Sequence, residues 1–152
     1  MSTVSAKVAV PFATHAAETL WYDTDRWPGF VDGFNTVKAI EGDWPRTGSR
    51  LVWETKVGGR GTVTEDVVSY EARRTCVTTV QDDQLAGTQT VLFNPHPEGT
   101  TVQLKLEYRI AARTLFTPVV DLLFVRAQQR QSLQRTLHRF ALELRDEINP
   151  PV

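Results

Sequence analysis

The sequence is poor in residues that staple, ligate or anchor. Its 152 residues include one cysteine, Cys76, and three histidines. A lone cysteine excludes an intramolecular disulfide and a cysteine-built zinc site. Set in a run of threonine and valine, it reads as a small packing residue. His15, His96 and His138 have no ligand spacing and no H-E-x-x-H, so no metal site is expected. Nucleophile-elbow and phosphate-loop motifs are missing, and Gly58-Gly59-Arg60-Gly61 reads as a hairpin turn. No motif calls for a cofactor. The formal net charge of −1 gives no global drive toward nucleic acid or anionic membranes. Arg126, Arg130, Arg135 and Arg139 fall at scattered azimuths without interleaved aromatics, so no nucleic-acid partner is expected. No apolar run is long enough to span a bilayer. Residues 1–10 lack the basic-then-apolar layout of a signal peptide. A cytoplasmic protein without integral membrane association is the expectation.

What is there suits a packed core. Apolar residues make up 41% of the chain, which is long enough for one domain spanning residues 1–152. A first strand over residues 5–11 ends at Pro11. Thr14 is placed to cap a short helix whose apolar spacing is Ala17, Leu20 and Trp21. The run from Asp23 to Gly29 breaks it, and Phe30, Val31 and Phe34 suggest a second short helix. Strands follow over 36–40, 50–57, 62–71, 75–81, 88–93 and 101–112, separated by Gly, Pro, Asn and Asp clusters. The last has the clearest alternation: Val102, Leu104, Leu106, Tyr108 and Ile110 on one side, Gln103, Lys105, Glu107 and Arg109 on the other. That is an antiparallel strand with one buried face. The parity of 62–71 is ambiguous, because Val67 and Val68 are adjacent. A long helix opens at Thr117 and Pro118 and closes before Pro150. At ~1.5 Å per residue it is a rod of roughly 45 Å. A one-faced antiparallel sheet needs a cover, and this helix is the one element large enough. The expected fold is α+β: about seven antiparallel strands curved around a long C-terminal helix, with two short helices after the first strand.

This order resembles the helix-grip fold of the START and polyketide-cyclase (SRPBCC) superfamily. Three motifs carry the resemblance. A strand ending Val10-Pro11 leads into a helix with Glu18 and Trp21, then Asp23-Thr24-Asp25-Arg26-Trp27-Pro28, similar to a D-x-x-R-W-P run common between the two short helices of members. Gly48-Ser49-Arg50 opens a strand after a Trp/Pro loop, and the long C-terminal helix completes the match. The resemblance covers essentially the whole chain. It implies an internal cavity between sheet and helix and a small hydrophobic ligand. It does not imply one reaction, because the superfamily shares a scaffold rather than a chemistry.

The long helix holds the most informative pattern. With Leu137 at zero, Leu133, Phe140, Ala141, Leu144 and Ile148 lie within about 60° of it, and Arg126 and Arg130 fall about 20° to either side. Two arginines therefore sit on the face expected to be buried, where an unpaired guanidinium is expensive. Either they reach solvent or strand acids, or sheet and helix separate there and the arginines hold a ligand's carboxylate, phenolate or carbonyl. The resemblance favours the second. His138 lies about 100° from the stripe and is expected at the rim or exposed. Inward strand residues add a mostly apolar lining that includes Leu51, Trp53, Leu104 and Leu106, with Thr55, Tyr70, Tyr108 and Gln89 as polar members. Trp27 is placed as structure or as a cavity rim, with ligand entry near Trp27 and Trp44. Glu65-Asp66 and Asp82-Asp83 are adjacent pairs whose members face opposite ways, so they make poor acid–base couples. No general base presents itself. The apolar stretch 119–125 has three uses open to it: internal packing, a cavity entrance or a homodimer contact.

Three functions follow. The first is a binder of a small aromatic, polyketide, isoprenoid or lipid-like molecule, with Arg126, Arg130, Tyr108, Tyr70, Trp53, Trp27 and Leu106 as ligand-binding residues. The second is a polyketide cyclase or aromatase using the same cavity. The third is a protein-interaction module using the 119–125 patch.

Overall fold

The computed structural model describes residues 1–110 and 119–150, with side chains from residue 122 onward in the second run. Seven strands form one antiparallel sheet: β1 (Ser2–Val10), β2 (Phe34–Glu41), β3 (Arg50–Thr55), β4 (Thr62–Glu71), β5 (Thr75–Gln81), β6 (Leu85–His96) and β7 (Gly99–Ile110). Their order in space is β1-β7-β6-β5-β4-β3-β2. Consecutive strands from β2 to β7 are neighbours, and β1 closes onto β7 with Ser2 opposite Tyr108 and Val10 opposite Thr100. Helix α1 (Thr14–Tyr22) and a 3₁₀ turn (Thr24–Gly29) lie between β1 and β2, and α2 (Val119–Ile148) follows β7. This is the α+β helix-grip arrangement expected from the sequence. The Thr117 cap, Pro118, Leu115 and Phe116 lie outside the described residues.

Alternation decides which side chains meet the helix. Leu51, Trp53 and Thr55 of β3, Val63, Glu65 and Val67 of β4, and Cys76, Thr78 and Val80 of β5 are buried. So are Val91 and Phe93 of β6 and the even positions Val102 to Tyr108 of β7. Cys76 is the small core residue its surroundings suggested, and burial pushes its thiol up to about 12. The doubtful parity of β4 has a local cause. A bulge between Val67 and Ser69 inserts Val68, which points outward and is exposed.

Two local readings are corrected. The second short helix is not built from Phe30, Val31 and Phe34. It is the supposed break itself, Thr24–Gly29, started by the Asp23 carboxylate accepting from the Asp25 N–H at 3.2 Å. Phe30 is buried just after it and Phe34 begins β2. Thr14 is not a cap either. Ala13 holds the cap position, and the Thr14 hydroxyl bonds that of Thr100 on β7 at 2.9 Å, tying α1 to the sheet.

Helix α2 covers the sheet with Leu133, Leu137, Phe140 and Leu144, all buried. Each contributes roughly 1.5–3 kcal/mol by its burial. Ion pairs clamp this C-terminal half: Arg26 to Glu143 and Glu147 at 3.1 Å each, and Arg135 and Arg139 to Asp32 at 3.1 and 3.4 Å. The N-terminal half is much barer. Leu123, Phe124, Arg126, Ala127, Gln128 and Arg130 are exposed, and Gln129 is the buried residue of that stretch.

Candidate functional site

The interior between sheet and α2 has an aromatic wall and a polar floor. Trp27 stands at the centre of the wall, with its ring edge-on to Phe34, Trp44 and Trp53 at 6.0–6.1 Å. Pro28 follows it near the end of the 3₁₀ turn, and the Trp27 indole N–H donates to the Trp21 carbonyl at 2.8 Å. Trp21 in turn meets Phe140 of α2 edge-on at 5.4 Å.

The floor is Glu65, 4% exposed and facing inward from β4. The Trp53 indole N–H donates to its Oε2 at 2.7 Å and the Thr78 hydroxyl donates to its Oε1 at 3.3 Å. Burial raises the Glu65 carboxyl above its ordinary value, against those two hydrogen bonds and the Arg60 charge. Arg60 pairs with Asp82 instead, at 3.4 Å, and lies over the Trp53 ring at 5.8 Å. The inward carboxylate on β4 and the arginine of the hairpin were both missed by the sequence reading. A signal existed: Glu65 sits between Val63 and Val67 on the apolar parity.

Among the described residues the interior holds voids of about 40 and about 20 Å³. Trp21, Trp27, Glu65 and Gln89 line both. Leu104, Leu106, Arg60, Gln129 and Ser132 are among the other residues around the larger. A water needs roughly 10–15 Å³, so these voids are of water size and polar enough to hydrate. A groove of about 200 Å³ adjoins the larger one, between the Gly58-Gly59-Arg60 turn and Gln128, Gln129, Ser132 and Arg135 of α2. Arg60, Asp32, Gln129 and Ser132 line groove and void alike. The groove lies beside the β3–β4 turn, and Trp27 and Trp44 both line the smaller void. A larger hollow of about 680 Å³ lies on the opposite face, among outward residues such as Arg50, Thr64, Asp66, Thr79 and Thr88. It is open to solvent and its Arg50 is spent on Asp66 at 2.7 Å, so the interior is the better candidate.

The structure separates the residues selected from sequence. Trp27, Trp53 and Leu106 line the larger void together. Tyr108 is buried one inward position further along β7; burial raises its hydroxyl, against Ser2 and the charges of Arg126 and Arg130. Those arginines are exposed on α2 near that end. Tyr70 is half-buried at the other end, its ring edge-on to Tyr22 at 5.7 Å. His138 is exposed. Among the described residues, no three His, Cys, Asp or Glu side chains converge to hold a metal ion. No described helix is long and apolar enough to cross a membrane.

The family model for polyketide cyclase/dehydrase and lipid transport matches residues 1–145. The chain belongs to that family. Family membership supports a ligand-binding or cyclase role. No curated protein matches the chain by sequence. Solved structures match it at low identity and so speak for the fold alone. The di-domain ARO/CYC StfQ from the steffimycin biosynthetic pathway aligns at 17% identity and TM-score 0.77, over 98% of this chain and 52% of StfQ. DynU16, a protein of the dynemicin biosynthetic locus, aligns at 16% and 0.67 over 97% and 48%. This chain thus spans about half of each. TTHA0849 from Thermus thermophilus aligns at 16% and 0.71, over 94% and 97%.

Proposed function

We propose that the protein binds a small hydrophobic molecule, aromatic, polyketide, isoprenoid or lipid-like, between the sheet and α2. The observation that carries this reading is the groove beside Arg60 opening onto an aromatic-walled, polar-floored interior. Ordinary ligand pockets measure roughly 300–1,000 Å³, so entry must widen the voids. Residues 122–130 of α2 give way in this reading, since among the described residues the ion pairs to Arg26 and Asp32 lie on the other half. In this reading Trp27, Trp53 and Leu106 form the walls. Arg126, Arg130 and Tyr108 meet the ligand at the far end of the interior, and Tyr70 borders the Tyr22 side.

Native mass spectrometry of the purified protein, alone and with quinones, fatty acids and polyketide aromatics, tests this. A retained or added mass supports it, and an unchanged mass across the panel removes it. Leu106→Trp fills the larger void and should abolish the shift while the protein stays folded. Arg130→Met should weaken binding at an unchanged unfolding midpoint; normal affinity would remove Arg130 from the site.

A second reading, a cyclase-type enzyme, is favoured by Glu65. A buried titratable carboxyl in a cavity wall is a candidate acid–base group. Conversion of a poly-β-ketone model compound by the protein, lost in Glu65→Gln, is the expected result; no turnover leaves the binder.

A further inference from the structure

Glu65 has an unusual set of partners for a buried carboxyl. Each oxygen accepts one hydrogen bond, from Trp53 and from Thr78, and both donors are neutral. The cation nearby, Arg60, is engaged by Asp82, which is itself buried. A buried carboxylate without a contacting cation costs several kcal/mol, whereas a neutral carboxyl does not. The setting therefore favours the protonated form, in agreement with the direction in which burial moves the group. Both voids touch it. Trp53 and Thr78 each take one hydrogen-bonding position, and the residue borders the open space of both voids.

A neutral carboxyl bordering a narrow cavity is a hydrogen-bond donor that takes an acceptor. Gln89 lies across the same two voids and offers an amide to a second oxygen or a bridging water. The remaining walls, Trp21, Trp27, Leu104 and Leu106, suit flat apolar surface. We propose that Glu65 is the specificity-determining group of the interior and donates a hydrogen bond to the carbonyl oxygen of a planar aromatic or conjugated ketone. The assignment rests on the ligand-binding reading above. It excludes carboxylate groups from the inner end, because Arg60, the cation lining that void, is held by Asp82. It ranks ketones above hydrocarbons of equal size.

The test uses 6-propionyl-2-(dimethylamino)naphthalene, a fluorescent ketone whose emission moves to the red when its carbonyl accepts a hydrogen bond, beside 2-propylnaphthalene, which lacks the carbonyl. The wild type is expected to bind the ketone on the order of tenfold more tightly than the hydrocarbon, as one satisfied buried hydrogen bond implies. Glu65→Gln keeps a donor and should keep the preference. Glu65→Leu should lose it, with emission shifted to the blue. Equal preference in wild type and Glu65→Leu overturns the role of Glu65 while leaving binding intact. Failure of the folded wild type to bind either probe removes the binding reading, and this inference with it. Infrared spectra guard against an unfolded leucine variant. A protonated carboxyl band present in wild type and absent in Glu65→Gln must shift when the ketone is added; a band that is absent or does not move overturns the proposal.

Discussion

Glu65 makes stability depend on pH in a direction opposite to most carboxylates. Its folded-state pKa lies above the ordinary value of 4.5. Below 4.5 it is protonated whether the chain is folded or not, and its folded-state environment costs nothing extra. As pH rises, the unfolded chain releases the proton while the folded chain holds it, so stability falls until the folded pKa is passed. Glu65→Gln removes that fall, and urea unfolding at pH 4 and pH 8 should show the variant gaining on wild type at the higher pH. Asp32 behaves in the usual sense. Burial works to raise it, but hydrogen bonds from Arg135 and Ser132 and the charges of Arg135 and Arg139 outweigh that, and it titrates below 3.8. Its contribution is present above that value and lost as pH falls through the lowered pKa, so Asp32→Asn should flatten the acid limb of the same measurement. Neither residue was read as a site from the sequence. Asp32 finds its arginines a hundred positions away, and the role of Glu65 was hidden by one inserted residue. With Val68 doubling Val67, the apolar parity of β4 could be read either way, and the acid at 65 was weighed only against its neighbour Asp66.

At the scale of elements, the sequence was clearer. Where burial and period agreed over a long run, as in β7 and the second half of α2, the pattern identified both type and face. It failed where the local rule was weak: a six-residue 3₁₀ turn carries too few positions for a period, and Thr14 was used for a tertiary bond instead of a cap. The stripe on α2 also led further than the packing goes. Helical geometry continues Leu137's face back to Arg130 and Arg126, but the buried contacts thin out before that point, and both arginines are exposed. The two halves of the helix should therefore answer differently to mutation. Leu137→Ala or Phe140→Ala should cost about 3–5 kcal/mol in equilibrium unfolding. Leu123→Ser, at a residue 59% exposed, should fall within about 0.5 kcal/mol of wild type. Native-state hydrogen exchange should show amides of 123–130 opening at lower free energy than those of 133–144.

For the molecule as a whole, one pairing shapes how the structure comes into being. β1 has its partner, β7, about a hundred residues further along the chain, with Ser2 facing Tyr108. On a ribosome adding roughly 5–20 residues per second, the first strand waits on the order of 5–20 s before its neighbour exists. The strands from β2 to β7 need no such delay, since each pairs with the next one made. Closing so long a loop carries an entropic cost of roughly 4 kcal/mol, set by the logarithm of its length. The meander is thus positioned to assemble first, and the arrival of β1 to set the pace of the last step. Until then β7 presents a bare edge to the crowded cell, and the arrival of β1 covers it.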